Sequence, residues 1–317
     1  MMKPLTPRLQ RIIAETGLLR VDAEETMAWT ERFDYVPIVD RKVMKLPDSA
    51  RVAVWVIVNI EEWDIHNPMA RTVLPPPGGG TNPPPDVPNY SWYDYGLRVG
   101  VWRLKDVLHR YGIKATVSLN GSVCTSYPCL VEAMLQAGWE LMGHSYIQRP
   151  MTLEKDQAGM IRQTMAALRE ASGKSPRGWM GPGLTETWNT PDLLAEAGIE
   201  YVCDWVNDDL PYEMRVKSGR LVSLPYTVEL NDIPIFLLQH HPAEELFRRT
   251  RDQFDTLYAE GETRPRCMAI AVHPYITGVP HRIKYFDQVC HYLTKHSGVL
   301  FWKGEEILDW YLSQAGR

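Results

Sequence analysis

At four places the sequence sets acid or imidazole groups directly after an apolar, strand-like run. Glu61-Glu62 follows Arg51–Asn59, and His144 follows Gly138–Gly143. Asp204-Trp-Val-Asn-Asp208-Asp209 closes Glu200–Asp204, and His273 follows Cys267–Val272. Adjacent carboxylates at the end of a strand project to opposite sides, so one of Glu61 and Glu62 can enter a pocket while the other lies on its rim. Two carboxylates held close together repel, which raises the proton affinity of one and suits it to proton transfer near neutral pH. A histidine ending a buried strand is oriented and partly desolvated, fit for a base or a metal ligand. The Asp204–Asp209 cluster can orient a cationic or imidazole partner. Each motif alone has a plainer reading: a solvated Glu pair, a hydrogen-bonded structural imidazole, an exposed acidic loop. Four such strand ends together point to one catalytic centre.

The elements that must position these groups alternate. Arg51–Asn59 is a near-continuous apolar run, the mark of a strand buried on both faces. Further strands are expected at Ile113–Leu119, Gly138–Gly143, Gly178–Gly181, Glu200–Asp204, Ile233–Gln239, Cys267–His273 and Val299–Trp302. Helical spacing runs through Leu97–Arg110, through a helix capped by Thr152 and ended by Gly173 and Pro176, and through about 190–197, 243–260, 281–296 and 303–314. Such β/α alternation implies a parallel sheet or barrel with helices outside, with catalytic groups at the carboxyl ends of the strands. Residues 1–50 read as an N-terminal extension packed on the barrel, residues 51–312 as one catalytic domain and 313–317 as a tail. Leu74–Pro88 carries seven of the 24 prolines and reads as a loop, either a surface excursion or a wall over the site. His240-His241 ends one expected strand and can line the pocket.

With 34 Lys and Arg against 39 Asp and Glu among 317 residues, the net charge is −5. There is no basic excess to meet phosphates, which argues against nucleic acid and favours a small-molecule partner. No run of about 18 apolar residues is present, so no membrane span is expected. The five cysteines show no CxxC spacing and the first twenty residues carry no apolar signal-like core, so the expectation is a reduced, cytoplasmic protein. Trp63, Trp92, Trp179, Trp188 and Trp205 adjoin the strand-end motifs and offer stacking faces for a flat ring or a sugar.

Glu61-Glu62, the His144 motif, Arg177–Gly183, Asp204–Asp209 and His273 occur in the order of the NodB-homology motifs. The chain resembles the polysaccharide deacetylase superfamily, carbohydrate esterase family 4. Asp208-Asp-Leu-Pro-Tyr212, Pro225–Asp232 and Arg282–Val289 resemble its allantoinase-like, cytoplasmic branch. The resemblance implies a distorted (β/α)7-type barrel, hydrolysis of a carbon–nitrogen bond other than a peptide, and a homo-oligomer. It also implies that Arg177 orients the catalytic acid. Family deacetylases carry Asp-Asp and a His-x-x-x-His pair, and bind a divalent metal through one Asp and both His. Here the acids are Glu61 and Glu62, and Gln148 stands where the second His would be. A Zn²⁺ site would therefore have to be built from Glu62, His144 and Gln148, and glutamine is a weak neutral ligand. Relatives in the allantoinase-like branch work without metal, so no obligatory cofactor is expected.

The expected activity is hydrolysis of a cyclic amide, ureide or imide. Glu61 would activate water, with Glu62 and His144 positioning it, and His273 would protonate the leaving nitrogen or stabilise the oxyanion. Gln148, Arg177, Trp179, Trp63, Asp204, Asp208 and Asp209 would orient these groups or bind substrate. The alternatives are a metal-dependent deacetylase of an N-acetylated sugar and a non-catalytic binding protein on the same fold.

Overall fold

The computed structural model describes residues 31–314. Strands β1 (Val52–Ile60), β2 (Thr116–Leu119), β3 (Glu140–Gly143), β4 (Gly178–Trp179), β5 (Tyr201–Val202), β6 (Tyr212–Met214), β7 (Leu221–Ser223), β8 (Arg266–Val272) and β9 (Val299–Phe301) form one curled sheet. Their order is β6-β7-β5-β4-β3-β2-β1-β8, parallel except for β6, which runs antiparallel to β7. One edge of β1 is shared: β9 pairs with Val52–Val54 and β2 with Ile57–Ile60. The helices are α1 (Val87–Tyr95), α2 (Val101–Arg110), α3 (Pro128–Gln136), α4 (Gln157–Ser172), α5 (Thr190–Glu196), α6 (Glu245–Glu260), α7 (Pro280–Thr294) and α8 (Gly304–Gln314). The curled sheet with its flanking helices is the barrel-type α/β architecture that the alternation implies.

The two-residue period of a strand sorts the side chains into two cores. Val52, Val54, Val56, Val58 and Ile60 face the helices, together with Val117, Leu119, Leu141, Met268, Ile270 and Val272. Ala53, Trp55 and Ile57 face the lumen, with Met142, Tyr201, Cys203, Cys267, Ala269 and Ala271. Continuing that parity past the strand ends places Glu61, Asn120, His144 and His273 on the lumen side. Glu62 falls on the helix side. Which of the two glutamates enters the site is therefore decided by the pleat.

The sheet is not a closed ring. Between β7 and β8 the chain itself crosses the gap: Asn231 bridges Ala271, and the Leu230 carbonyl accepts from the Ala271 N–H at 3.0 Å. Ile233–Gln239, expected as a strand, is instead a wide helical turn over Ile233–Leu238. Pro234 has no N–H for a ladder, and once Asn231 has made its bridge the chain turns outward. The helix expected from Thr152 begins at Gln157, because Asp156 caps it by accepting from the Gly159 N–H at 2.8 Å. The β6–β7 hairpin, α1 and α3 were not foreseen.

Three contacts tie the site-bearing loops to the sheet. α1 and α2 are joined by a wide turn, Gly96–Gly100, that lies against the loop after β8. A Cβ on Gly100 would sit 2.0 Å from the Pro274 carbonyl oxygen, so only glycine allows this approach. Leu74–Pro88 is largely exposed and is pinned at its base by buried Asn89, whose Oδ1 accepts from the Val73 and Leu74 N–H groups at 2.9 and 3.0 Å. Upstream of β1, Arg32 is fully buried, bonding both carboxylate oxygens of Asp192 at 2.8 and 2.9 Å. Residues 1–30 of the expected extension, and 315–317 of the tail, lie outside the described residues. Among the described residues no helix is long and apolar enough to cross a membrane.

Candidate active site

Glu61 is the centre of a buried cluster at the carboxyl ends of β1, β2, β3 and β8. It is only 7% exposed. Its Oε1 accepts from Gln148 Nε2 at 2.9 Å and faces His273 Nε2 at 3.5 Å and His144 Nε2 at 3.9 Å. Its Oε2 accepts from the Tyr275 hydroxyl at 3.2 Å and from Trp63 Nε1 at 3.3 Å. Burial alone would raise the proton affinity of this carboxyl; the facing imidazoles of His144 and His273, each of which favours the anion when it carries a proton on Nε2, outweigh it and hold the group well below the usual carboxylate range. Glu61 is thus a fixed anion. This reverses the expectation of a carboxyl whose proton affinity is raised by its neighbour, because Glu62 points to the other side of the strand.

The two imidazoles are held differently. His144 is 1% exposed, and its Nδ1 lies 2.7 Å from the Met180 carbonyl oxygen, an atom that can only accept. Nδ1 therefore carries the proton, and Nε2 points at Glu61 with no hydrogen-bond partner of its own. Ser145 takes a left-handed conformation, φ 62°, directly after it. That turn brings the Ser145 and Tyr146 carbonyls to the N–H groups of Gly121 and Ser122 at 3.0 and 2.9 Å. His273 is 4% exposed; its Nδ1 lies 2.6 Å from Asp232 Oδ1, while Asp232 Oδ2 accepts from the His273 main-chain N–H at 2.7 Å and from Thr277 Oγ1 at 2.6 Å. Burial disfavours the imidazolium, but the Asp232 and Glu61 carboxylates more than compensate and push it up to about 9. At neutral pH His273 is a cation wedged between two carboxylates.

Aromatic rings wall one side. Trp63 lies against Tyr93 with centroids 4.5 Å apart, Tyr93 meets Tyr275 edge-on at 4.7 Å, and Trp92 meets Tyr275 at 4.8 Å. α1 supplies Trp92 and Tyr93, so the helix following the proline-rich loop builds this wall.

A family model for polysaccharide deacetylase matches residues 81–202. A Schizosaccharomyces pombe protein bearing a polysaccharide deacetylase name is 28% identical over 295 residues, 82% of this chain and 90% of that one. A peptidoglycan deacetylase from Helicobacter pylori is 22% identical over 273 residues, 75% of this chain and 92% of that one. Among solved structures, a probable polysaccharide deacetylase from Pseudomonas aeruginosa PAO1 superposes with a TM-score of 0.77 at 26% identity, covering 87% of this chain and 95% of that one. The chain is similar to members of the polysaccharide deacetylase family over most of its length. It is a hydrolase of carbon–nitrogen bonds other than peptide bonds, on the NodB-type barrel of that family. The structure of Puue allantoinase is similarly alike, with a TM-score of 0.76 at 26% identity, over 89% of this chain and 98% of that one.

Family deacetylases bind a divalent metal, and the positions that would hold it here do not fit one. Glu62 donates its N–H to Asn120 Oδ1 at 2.8 Å, and its carboxylate lies on the helix side near Tyr127. Gln148 turns its nitrogen, not its oxygen, toward Glu61. Among the described residues no group of three or more His, Cys, Asp or Glu is arranged to hold a metal ion.

Several expected residues lie elsewhere. Arg177 precedes β4, at the opposite end of the sheet, where it pairs with Glu200 at 2.6 Å and Asp309 at 2.9 Å. Asp208 pairs with Arg41 at 2.5 Å, and the main-chain carbonyl of Asp209 accepts the Cys267 N–H at the start of β8. From Cys267 to His273 is six strand residues, ~20 Å. Those two aspartates line a cavity of about 1080 Å³ with Phe33, Arg41, Tyr226 and Tyr311, and Glu61 is not part of its lining. Trp179 is 0% exposed and packs on Gly143, whose added Cβ would come within 2.6 Å of its ring; it is core, not a stacking face. Asp204 sits closer, accepting the Gly181 N–H at 2.8 Å, one residue beyond the carbonyl that holds His144. Burial pushes it well above the carboxylate range, beside Glu186, which burial raises to about 7. His240 is exposed, in left-handed conformation at φ 54°. The sequence reading missed Asp232, Tyr275, Asn120, Tyr93 and Glu186.

Proposed function

We propose that the chain hydrolyses a small cyclic amide, ureide or imide without a metal ion. The observation that carries this reading is the 2.9 Å bond from Gln148 Nε2 to Glu61, at the position where the family's second metal-binding histidine stands. A neutral donor there clamps the carboxylate. Two further features agree: Glu61, His144 and His273 are almost wholly enclosed, which suits a small substrate, and an aromatic wall offers a flat ring a face. The likeness to Puue allantoinase over nearly its whole length supports the same substrate class.

In this mechanism the attacking water is oriented by Glu61 Oε1 and gives its proton to the bare Nε2 of His144. Glu61 alone is too weak a base, because its own proton affinity is depressed. The new C–O bond forms as the ring carbonyl becomes an oxyanion. Imidazolium His273 then donates its Nε2 proton to the leaving nitrogen as the C–N bond breaks, and Asp232 stabilises the charge of the acid form. Trp63 and Tyr275 hold Oε2 so that Oε1 faces the reacting atoms.

The test is a hydrolysis panel of allantoin, hydantoin, succinimide and chitooligosaccharides, with and without chelator. Ring-amide turnover unaffected by chelator is expected. Turnover of chitooligosaccharides alone, abolished by chelator and restored by Zn²⁺, would replace this reading with the metal-dependent deacetylase.

A further inference from the structure

Gln148 has an ambiguity that Glu61 cannot resolve for it: an amide presents either a donor or an acceptor, and only the donor clamps a carboxylate. The direction is fixed two residues away. The Glu62 main-chain N–H can only donate, and Asn120 Oδ1 accepts from it at 2.8 Å. Asn120 Nδ2 must then face the other way, where it meets the His144 carbonyl and, at 3.2 Å, Gln148 Oε1. With its oxygen engaged, Gln148 has Nε2 left for Glu61 Oε1. Asn120 is 0% exposed, so its own amide atoms are closed to water. Turning either amide over would set oxygen against oxygen.

We infer that Asn120 is a positioning residue for the reaction: it transmits the polarity of the Glu62 peptide through Gln148 to Glu61, and so keeps a donor on the reacting carboxylate. The inference rests on the proposed role of Glu61. Asn120 also bonds the main-chain carbonyl of His144, so one side chain sets both the anion and the base. The near-isosteric Asn120→Asp keeps the acceptor for the Glu62 N–H but presents an acceptor to Gln148. Gln148 then reverses, and its oxygen meets Glu61.

The experiment pairs a spectroscopic reading with kinetics on the full chain. In ¹⁵N-labelled protein the Gln148 side-chain amide, assigned by its absence in Gln148→Met, shows one proton shifted downfield by its bond to an anion. That proton returns to the ordinary amide position in Asn120→Asp and in Glu61→Gln. With the ring amide that the panel selects, Asn120→Asp lowers kcat by ~10-fold or more and changes KM by less than ~3-fold. Asn120→Ser, which retains an acceptor for Glu62 and serves if Asn120→Asp does not fold, lowers kcat in the wild type but adds nothing in the Gln148→Met background. A downfield proton that persists in the Asn120 variants overturns the inference, as do Asn120 and Gln148 effects that multiply. The amide signal needs no substrate, so failure of the ring-amide reading and failure of this relay are told apart.

Discussion

Two glutamates are buried in the lumen of the same barrel, and they are held in opposite states. Glu61 and Glu140 are each 7% exposed. Glu61 lies beyond the carboxyl end of β1 among two imidazoles, an amide, a phenol and an indole. Glu140 opens β3 at the other end, bonded by Thr116 Oγ1 at 2.8 Å, the Tyr201 hydroxyl at 2.7 Å and the Glu305 N–H at 3.1 Å. Burial raises Glu140 to about 7, and its hydroxyl and peptide partners only moderate the rise. Glu61 pays the same desolvation, yet stays ionised because His273 brings a positive charge. Hydrogen-bond donors alone do not keep a buried carboxylate charged here; an imidazolium does. One glutamate closes the lumen, and the other is poised for chemistry.

The sharpest way to break this contrast is to neutralise each in turn. Glu61→Gln should lower kcat/KM by ~10²–10⁴-fold, and retention of more than about a tenth of the activity would remove Glu61 from the mechanism. Glu140→Gln, measured in the same assay, should stay within a few-fold of wild type. Asp232→Asn removes the charge that sustains the His273 imidazolium; kcat/KM should fall by ~10²-fold or more, and its alkaline limb, expected near pH 9 in the wild type, should move to lower pH. A limb left in place would show that another group donates the proton.

Smaller effects follow from linkage. Glu140 binds a proton more tightly when folded than the ordinary carboxyl value of 4.5, so stability falls as pH rises from about 4.5 to about 7. His273 also binds its proton more tightly when folded, and its contribution, complete below about 6.5, is lost as pH rises through about 9. Melting curves of Glu140→Gln should lose the Glu140 share of the first slope, leave the share of Glu186 and Asp204, and keep the second. Gly100→Ala, forced against the Pro274 carbonyl, should destabilise by ~1–3 kcal/mol and slow turnover by displacing the His273 loop. Least affected will be Arg177→Ala, whose carboxylate partners are substantially exposed: under about 1 kcal/mol in denaturant titration, with kcat/KM unchanged.

Strand ends were legible in the sequence because a buried parallel strand is written as an unbroken apolar run, and the polar residue that stops it marks the carboxyl end. Hence Glu61, His144 and His273 meet. Their facing was legible too, in the alternation of residues 53, 55 and 57 with 52, 54 and 56, and the same parity applied to β2 would have found Asn120. Asp232 was hidden by the strand expected at 233–239, which put it at the amino end of an element and on the wrong face of the sheet. Arg177 stands before its strand, so its place in the sequence already argued against a role beside Glu61. Asp208 and Asp209 follow β5 by enough residues for the chain to leave the site. Glu186 lies in an irregular loop, and no period points to it.

The gap between β7 and β8 bears on how the molecule breathes. Among the described residues one backbone bridge, Asn231–Ala271, closes the sheet there, and the next residue, Asp232, backs it with its bonds to His273 and Thr277. Amide exchange at Ala271 and His273 should therefore be faster than at Ile57 and Val58, where β1 is paired along both edges. When that seam parts, Asp232 leaves with its segment and His273 remains on β8, losing the carboxylate that sustains its charge. A partial opening that spares the rest of the barrel would be enough to lower the proton affinity of His273.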